Sequence, residues 1–279
     1  MDNNLYLVVL EGKERLKEAG IPGRMDAEFI MRHVLQSDLP VDHNTTISPD
    51  KEREFWELIE LRVNRHSMDS ILGYTEFMGL DIHFSKDTLS PRQETEIMVD
   101  AIVSDFRDKH NLHVLDLCSG SGCIGLAIAR HLHGSSVILA DISEKALEES
   151  RHNAAINNVE VQFVKSDLFD NVSDTFDIII SNPPYIPSGD ITNLEREVVD
   201  FDPVLALDGG EDGLDIYRRL APEVPSHLRD GGYIFIEFGI GQTKDLISIF
   251  EPYVDDIQIV KDYGGVDRYL KARKKVYVE

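Results

Sequence analysis

The sequence predicts an α/β fold: a mostly parallel sheet covered by helices on both faces, preceded by a small helical domain. Three observations predict it. From "ETEIMVDAIVSDF" onward, short apolar runs rich in Val and Ile alternate with amphipathic stretches, the spacing of strands joined by helical crossovers. Before about residue 70 the periodicity is helical. Between the two, "YTEFMGLDIHFS" alternates and breaks at Gly79, as a short hairpin does. The expected organisation is a helical domain over 1–70, a hairpin linker over 71–92 and an α/β domain over 93–279. A chain of 279 residues with 42% hydrophobic composition is long enough for both domains.

Each element has a local reason. "LYLVVLEGKERLKEAG" is an amphipathic helix that stops at Gly20, with Pro22 just beyond. "MDAEFIMRHVLQ" is a second helix. "SPDKEREFWELIELRVNRH" is a third, with Ser48 as N-cap and Pro49 at the first helical position. Trp56 on this helix reads as packing, and none of the three carries a chemical motif. The strands are "HVLDL", "SVILAD", "VQFVKSD", "FDIIIS", "GYIFIEFG", "DIQIVKD" and "DRYLKAR", with helices expected at 122–133, 143–157, 213–228 and 242–251. The last two strands are joined by "YGGV", too short for a parallel crossover, and should pair antiparallel.

Composition narrows the function. The net charge is −23, which repels phosphate backbones and argues against non-specific nucleic-acid binding. Cys118 and Cys123 provide neither a disulfide framework nor a four-ligand zinc spacing, and read as small buried residues. The ten histidines are scattered, and no metal site is expected. No apolar run is long enough to span a bilayer, and "MDNNLYLVVLEGKERL" lacks a basic flank and a cleavage site, so a soluble, cytoplasmic protein is expected.

The first strand runs into "CSGSGCIGLAIAR". Gly120 and Gly122 let the backbone approach a ligand and take φ values that other residues avoid, and the helix behind them favours a carboxylate or phosphate. Acids recur at neighbouring strand ends, beginning with Asp116. Asp141 could accept ribose hydroxyls, Asp167 the amino group of an adenine, and Phe169 could cover its face. The ligand is then a nucleoside. The spacing Gly120-x-Gly122-x-x-Gly125 fits a dinucleotide as well as S-adenosylmethionine, so the loop alone leaves both open.

The fourth strand end separates them. "FDIIIS" breaks into Asn182-Pro183-Pro184-Tyr185. The prolines fix an extended segment whose Pro183 carbonyl is not needed by a regular ladder. The Asn182 oxygen is a second acceptor. Two fixed acceptors suit an –NH2 group, and Tyr185 offers a flat face to a planar partner. Acceptors on both hydrogens let an amide nitrogen pyramidalise and stabilise the positive charge it gains on attack. Holding two reactants in line can lower a barrier by on the order of 7–11 kcal/mol. This is the chemistry of methyl transfer to nitrogen.

"LDLCSGSGCIGLAIA", "ADISEKALEESRHNA", "SDLF", "IISNPPYIP" and "LALDGGEDGLDIYRRL" resemble the HemK/PrmC family of protein glutamine methyltransferases over about residues 70–272. "NPPY" is shared with adenine and other amino-group methyltransferases, whereas "GGEDGLDIYRRL" and "ILGYTEFMGL" with "SPRQETE" are more specific. The resemblance implies a class I S-adenosylmethionine-dependent methyltransferase fold with the last strand antiparallel. It implies S-adenosylmethionine as donor and S-adenosylhomocysteine as product. The implied substrate is the Gly-Gly-Gln glutamine of peptide chain release factors, methylated at N5, with the helical domain docking that partner. Carried across by position, the donor would lie on Cys118, Ser119, Gly120, Ser121, Gly122, Asp141, Asp167, Leu168, Phe169 and Asn182. The amide would lie on Asn182, Pro183, Pro184 and Tyr185, with Arg92 and Glu94 bordering the pocket. Gln93 stands where the family usually has proline, and Ser70 belongs to a second departure, "DSILG". The competing readings are a family member acting on another glutamine or a small-molecule amide, an adenine-N6 nucleic-acid methyltransferase, an idle scaffold and a nicotinamide-dependent dehydrogenase. The charge and the lack of a target-reading insertion weigh against the nucleic-acid enzyme, and the intact Asn182 against the scaffold. No placed His or Tyr supplies the acid that a dehydrogenase needs.

Overall fold

The computed structural model describes residues 3–21, 25–37, 45–194 and 196–275. The chain divides into two compact units, Met1–Tyr74 and Thr75–Glu279. Pro22 lies outside the described residues.

The first unit contains strand β1 (Asn3–Asn4), helices α1 (Leu5–Glu18) and α2 (Asp26–Leu35), strand β2 (Thr46–Ile47), and helices α3 (Pro49–Val63) and α4 (Met68–Leu72), with β1 and β2 paired antiparallel. Asn4 caps α1 by accepting from the Leu7 N–H at 3.2 Å. Ser48 precedes α3 in an extended conformation, but its side chain makes no capping hydrogen bond, and Pro49 alone marks the start. The apolar stripes of α1, α2 and α3 meet in a core of Val9, Leu16, Ile30, Phe55 and Ile59. A Cβ on Gly12 would lie 2.6 Å from the Phe55 ring, so this glycine sets the close crossing of α1 and α3. Trp56 meets Phe55 edge to face at 5.4 Å, a packing role.

The hairpin of β3 (Tyr74–Phe77) and β4 (Leu80–His83) starts at the last residue of the first unit and otherwise lies in the second. Its turn residues Met78 and Gly79 both have positive φ, 51° and 77°, as a type I′ turn requires. The hairpin packs with the second unit. Phe77, Leu80 and Ile82 enter its core, and Asn153 exchanges hydrogen bonds with the His83 backbone at 2.8 and 2.9 Å. There follow α5 (Gln93–Phe106), β5 (His113–Leu117), α6 (Cys123–His131), β6 (Ser136–Asp141), α7 (Glu144–Ile156), β7 (Gln162–Lys165) and β8 (Phe176–Ser181). A 3-10 turn (Ile191–Asn193) leads to the short helices α8 (Arg196–Phe201), α9 (Val204–Leu207), α10 (Asp215–Leu220) and α11 (Val224–His227). The unit ends with β9 (Leu228–Glu237), α12 (Thr243–Phe250), β10 (Val254–Lys261) and β11 (Asp267–Lys274).

Seven strands form one sheet in the order β10-β11-β9-β8-β5-β6-β7, parallel except for β11, which runs antiparallel to both neighbours. The central strands are buried on both faces, which is why they read as continuous apolar runs. Leu115, Ile179 and Ile234, aligned across β5, β8 and β9, face one core with Tyr217 and Phe250. Val114, Ile178 and Phe235 face the other with Met98 and Ile124. The order reverses at β5, because β6 and β7 lie to one side of it and β8 and β9 to the other. Ligands of such sheets bind where this reversal opens a crevice at the carboxyl ends. No helix among the described residues is long and apolar enough to cross a membrane.

Candidate active site

The parallel strands β5, β6, β7 and β8 end on one cavity of about 220 Å³. β5 contributes Cys118, Ser119, Gly120 and Ser121, β6 contributes Asp141, β7 is followed by Asp167 and Leu168, and β8 by Asn182 and Pro184. The wall also includes the loop from Asp87 to Arg92, Thr95 at the start of α5, and Leu205, Ile216 and Arg219.

The glycine loop has two distinct functions. Gly120 has φ +53°, and an added Cβ would meet no atom within 4 Å, so the backbone here is an open cradle. The Ser119 hydroxyl beside it is buried without a hydrogen-bond partner among the described residues. Gly122 is different. Its φ is +82°, and an added Cβ would press on Leu139 at 2.8 Å and Ser150 at 3.0 Å. Gly122 is off the cavity wall and lets α6 pack on β6. Gly125 does the same against Leu139 at 2.6 Å.

Asp141 presents a buried carboxylate to the cavity. It accepts from the Gly120 N–H with one oxygen and the Ser143 N–H with the other, each at 2.8 Å. Burial raises its pKa and these donors oppose the rise. Asp116, one residue before the end of β5, is off the cavity wall. It is fully buried and accepts the Gly125 N–H at 2.8 Å, and burial pushes it up to about 8. Asp167 lines the cavity and pairs with Arg219 at 2.8 Å, a partner invisible in the sequence pattern. Cys118 and Cys123 line the wall rather than lying fully inside, and desolvation holds both thiols protonated, up to about 12. An unpartnered hydroxyl, an open glycine backbone and a buried carboxylate together fit a nucleoside carrying a zwitterionic tail.

Several expected contacts are placed differently. Phe169 does not reach the cavity. Leu168 has φ +50°, which puts its own side chain on the wall and sends the Phe169 ring inward to stack on His227 at 4.1 Å. Pro183 is buried behind the wall. No described residue donates to its carbonyl. Tyr185 is off the wall, its ring Cδ2 3.0 Å from where a Cβ on Gly239 would stand. Burial pushes its phenol up to about 12. Arg92 lines the cavity and bonds Asp202 at 2.5 Å, tying the 87–92 loop to the segment after α8. Glu94 is exposed and off the wall. Gln93 is the exposed first residue of α5, a position where proline and glutamine are both accommodated. Ser70 lies in the first unit, its hydroxyl accepting from Ser67 at 2.8 Å.

The segment 182–188 is braced from behind. Gln242 donates to the Tyr185 carbonyl at 2.9 Å and the Gly213 carbonyl at 3.2 Å. Ile186 pairs with Leu207 and Gly209, and Ser188 with Gly210. This explains two of the three glycines of "GGEDG". A Cβ on Gly213 would lie 2.3 Å from the Tyr185 carbonyl oxygen, and one on Gly209 2.8 Å from the Tyr185 Cα.

Two residues escaped the sequence reading. Thr95 Oγ1 donates to the buried Glu237 carboxylate at 2.7 Å, and Asn182 Nδ2 reaches Thr95 Oγ1 at 3.4 Å. Burial pushes Glu237 up to about 7, opposed by Thr95, Arg268 and Asn182. The signal was the one that marked Asp141, an acid closing an apolar strand, here in "IFIEFG".

Comparison with known proteins agrees with this architecture. Residues 8–73 match the model of the PrmC N-terminal domain and residues 79–200 that of the methyltransferase small domain. A release factor glutamine methyltransferase of Agrobacterium fabrum is 36% identical over 98% of this chain and 98% of the relative. One of Rhodospirillum rubrum is 38% identical over 95% of this chain and 83% of the relative. Among solved structures, the T. thermophilus 16S rRNA N2 G1207 methyltransferase is 18% identical, with a TM-score of 0.55 over 72% of this chain and 50% of that one. A Pyrococcus furiosus methyltransferase is 20% identical, with a TM-score of 0.53 over 71% and 90%. These two share the fold. At more than a third identity along nearly its whole length, the chain belongs to the family of release factor glutamine methyltransferases, S-adenosylmethionine-dependent enzymes of the class I fold.

Proposed function

We propose that the protein methylates the side-chain amide nitrogen of a protein glutamine, that of the Gly-Gly-Gln motif in peptide chain release factors. The observation that carries this reading is Asn182 on the cavity wall, followed by Pro183, whose ring is buried off the wall and whose carbonyl has no donor among the described residues. When bound, S-adenosylmethionine supplies a methyl carbon made electrophilic by its sulfonium. Ser119, Gly120 and Asp141, all on the cavity wall, would hold it, and Leu168, also on the wall, would border its base. Asn182 Oδ1 and the Pro183 carbonyl accept the two N–H groups of the glutamine amide. That draws the nitrogen lone pair out of conjugation and offsets the positive charge it gains. The proton leaves after attack, so the site needs no strong base. Cys118 and Cys123, held as thiols, do not compete as nucleophiles. The first unit, with its helical core, is the region proposed to dock the protein substrate.

The test is incubation with S-adenosylmethionine and purified release factor, with the methyl mapped by mass spectrometry. The Gly-Gly-Gln glutamine should carry it, and a factor with that glutamine changed to Ala should stay unmodified. A methyl elsewhere, or none, overturns the substrate.

A further inference from the structure

Asn182 can serve as an acceptor only if its amide is held one way round, because a flipped amide would show the substrate two more hydrogens. The structure contains a device that removes the choice. Glu237 closes β9 as a buried carboxylate, and its backbone carbonyl is fixed by the Tyr217 hydroxyl at 2.9 Å. Arg268 eases the Glu237 charge, but it has its own partner in Asp262 at 2.7 Å. Once ionised, the Glu237 carboxylate can only accept, so the single proton of the Thr95 hydroxyl goes to it, over 2.7 Å. The Thr95 oxygen is then left with lone pairs, and the group facing it at 3.4 Å must be the Asn182 NH2. The polarity of the chain, from Asn182 to Thr95 to Glu237, follows from counting protons. It leaves Asn182 Oδ1 for the cavity. A buried carboxylate without a bonded cation is costly for a fold, and an apolar side chain would close β9 more cheaply.

The geometry points to Glu237 and Thr95 as positioning residues that hold the Asn182 amide with its oxygen toward the substrate, a role that rests on the reading of Asn182 above. Neither touches the reacting atoms. Thr95→Val removes the link at nearly constant volume. Glu237→Gln reverses it, since a carboxamide NH2 can donate to Thr95 and send the hydroxyl proton toward Asn182.

The test is steady-state kinetics on the full chain in mildly alkaline buffer, where Glu237 is ionised, with donor Kd measured by calorimetry. Thr95→Val and Glu237→Gln should each lower kcat by on the order of 10- to 100-fold. Donor Kd should stay within about threefold of the unchanged protein. Thr95→Ser, which keeps the hydroxyl, should restore kcat. In an Asn182→Ala background, Glu237→Gln should have no further effect, because there is no amide left to orient. Unchanged kcat in Thr95→Val and Glu237→Gln would overturn the inference while leaving Asn182 its role. So would a Glu237→Gln loss that multiplies fully onto that of Asn182→Ala. Unchanged kcat in Asn182→Ala alone would instead remove the reading beneath it.

Discussion

On the proposed reading, Asn182 belongs to the part of the site that reacts and Gly120 to the part that holds the donor. On that reading, Asn182→Ala removes one acceptor used as charge builds on the attacked nitrogen. It should lower kcat by on the order of 10²- to 10³-fold and leave donor Kd within about threefold, as calorimetry and turnover on one preparation would show. Gly120→Ala should do the reverse. Its Cβ meets no protein atom, so the fold bears only the strain of φ +53°, about 1–2 kcal/mol. The new methyl stands in the cradle, and donor affinity should fall about tenfold or more, the scale of 1.4 kcal/mol or above. At this scale the strand-end residues were legible because chemistry and position coincide: Asp141, Asn182 and the loop Ser119–Ser121 all reach the cavity. Phe169 was not. Its direction depends on the positive φ of Leu168, and a leucine gives no sign of that conformation.

At the scale of elements, the active segment is only as well placed as the loop behind it. Gly213→Ala would set a Cβ 2.3 Å from the Tyr185 carbonyl oxygen at φ +77°. Backbone must move, so we expect a loss of about 1–3 kcal/mol, read as a lower Tm, and a fall in kcat larger than the same loss elsewhere would cause. A Gly213→Ala protein with unchanged kcat would show that the bracing is idle. The seven strands were legible because buried parallel strands are uninterrupted Val/Ile runs, and "YGGV" forced the antiparallel end. The helix expected over 213–228 is two, α10 and α11. Pro225 has no N–H for the Ala221 carbonyl, and its ring clashes there, so the chain turns over 221–223 before restarting. The short helices α8 and α9 lacked the repeated period that marks a long one.

At the scale of the molecule, buried carboxyls link stability to pH. Asp116 at about 8 and Glu237 at about 7 keep protons that the unfolded chain releases near its ordinary value of about 4. Their stabilisation is fully present below that unfolded value and is lost as pH rises toward the folded ones. Tm should therefore fall from about pH 4 to about pH 8. Asp116→Asn, which keeps an oxygen for the Gly125 N–H, should flatten that slope, and an unchanged slope would dismiss the linkage. The net charge of −23 acts over the whole surface and opposes binding to phosphate backbones, while the acceptor pair proposed after β8 would suit any planar –NH2. The most direct test of the account is one reaction holding S-adenosylmethionine, purified release factor and adenine-containing DNA, with each product mapped by mass spectrometry. The expected result is methyl on the Gly-Gly-Gln glutamine and none on adenine. Methylated adenine with an unmodified glutamine would contradict it.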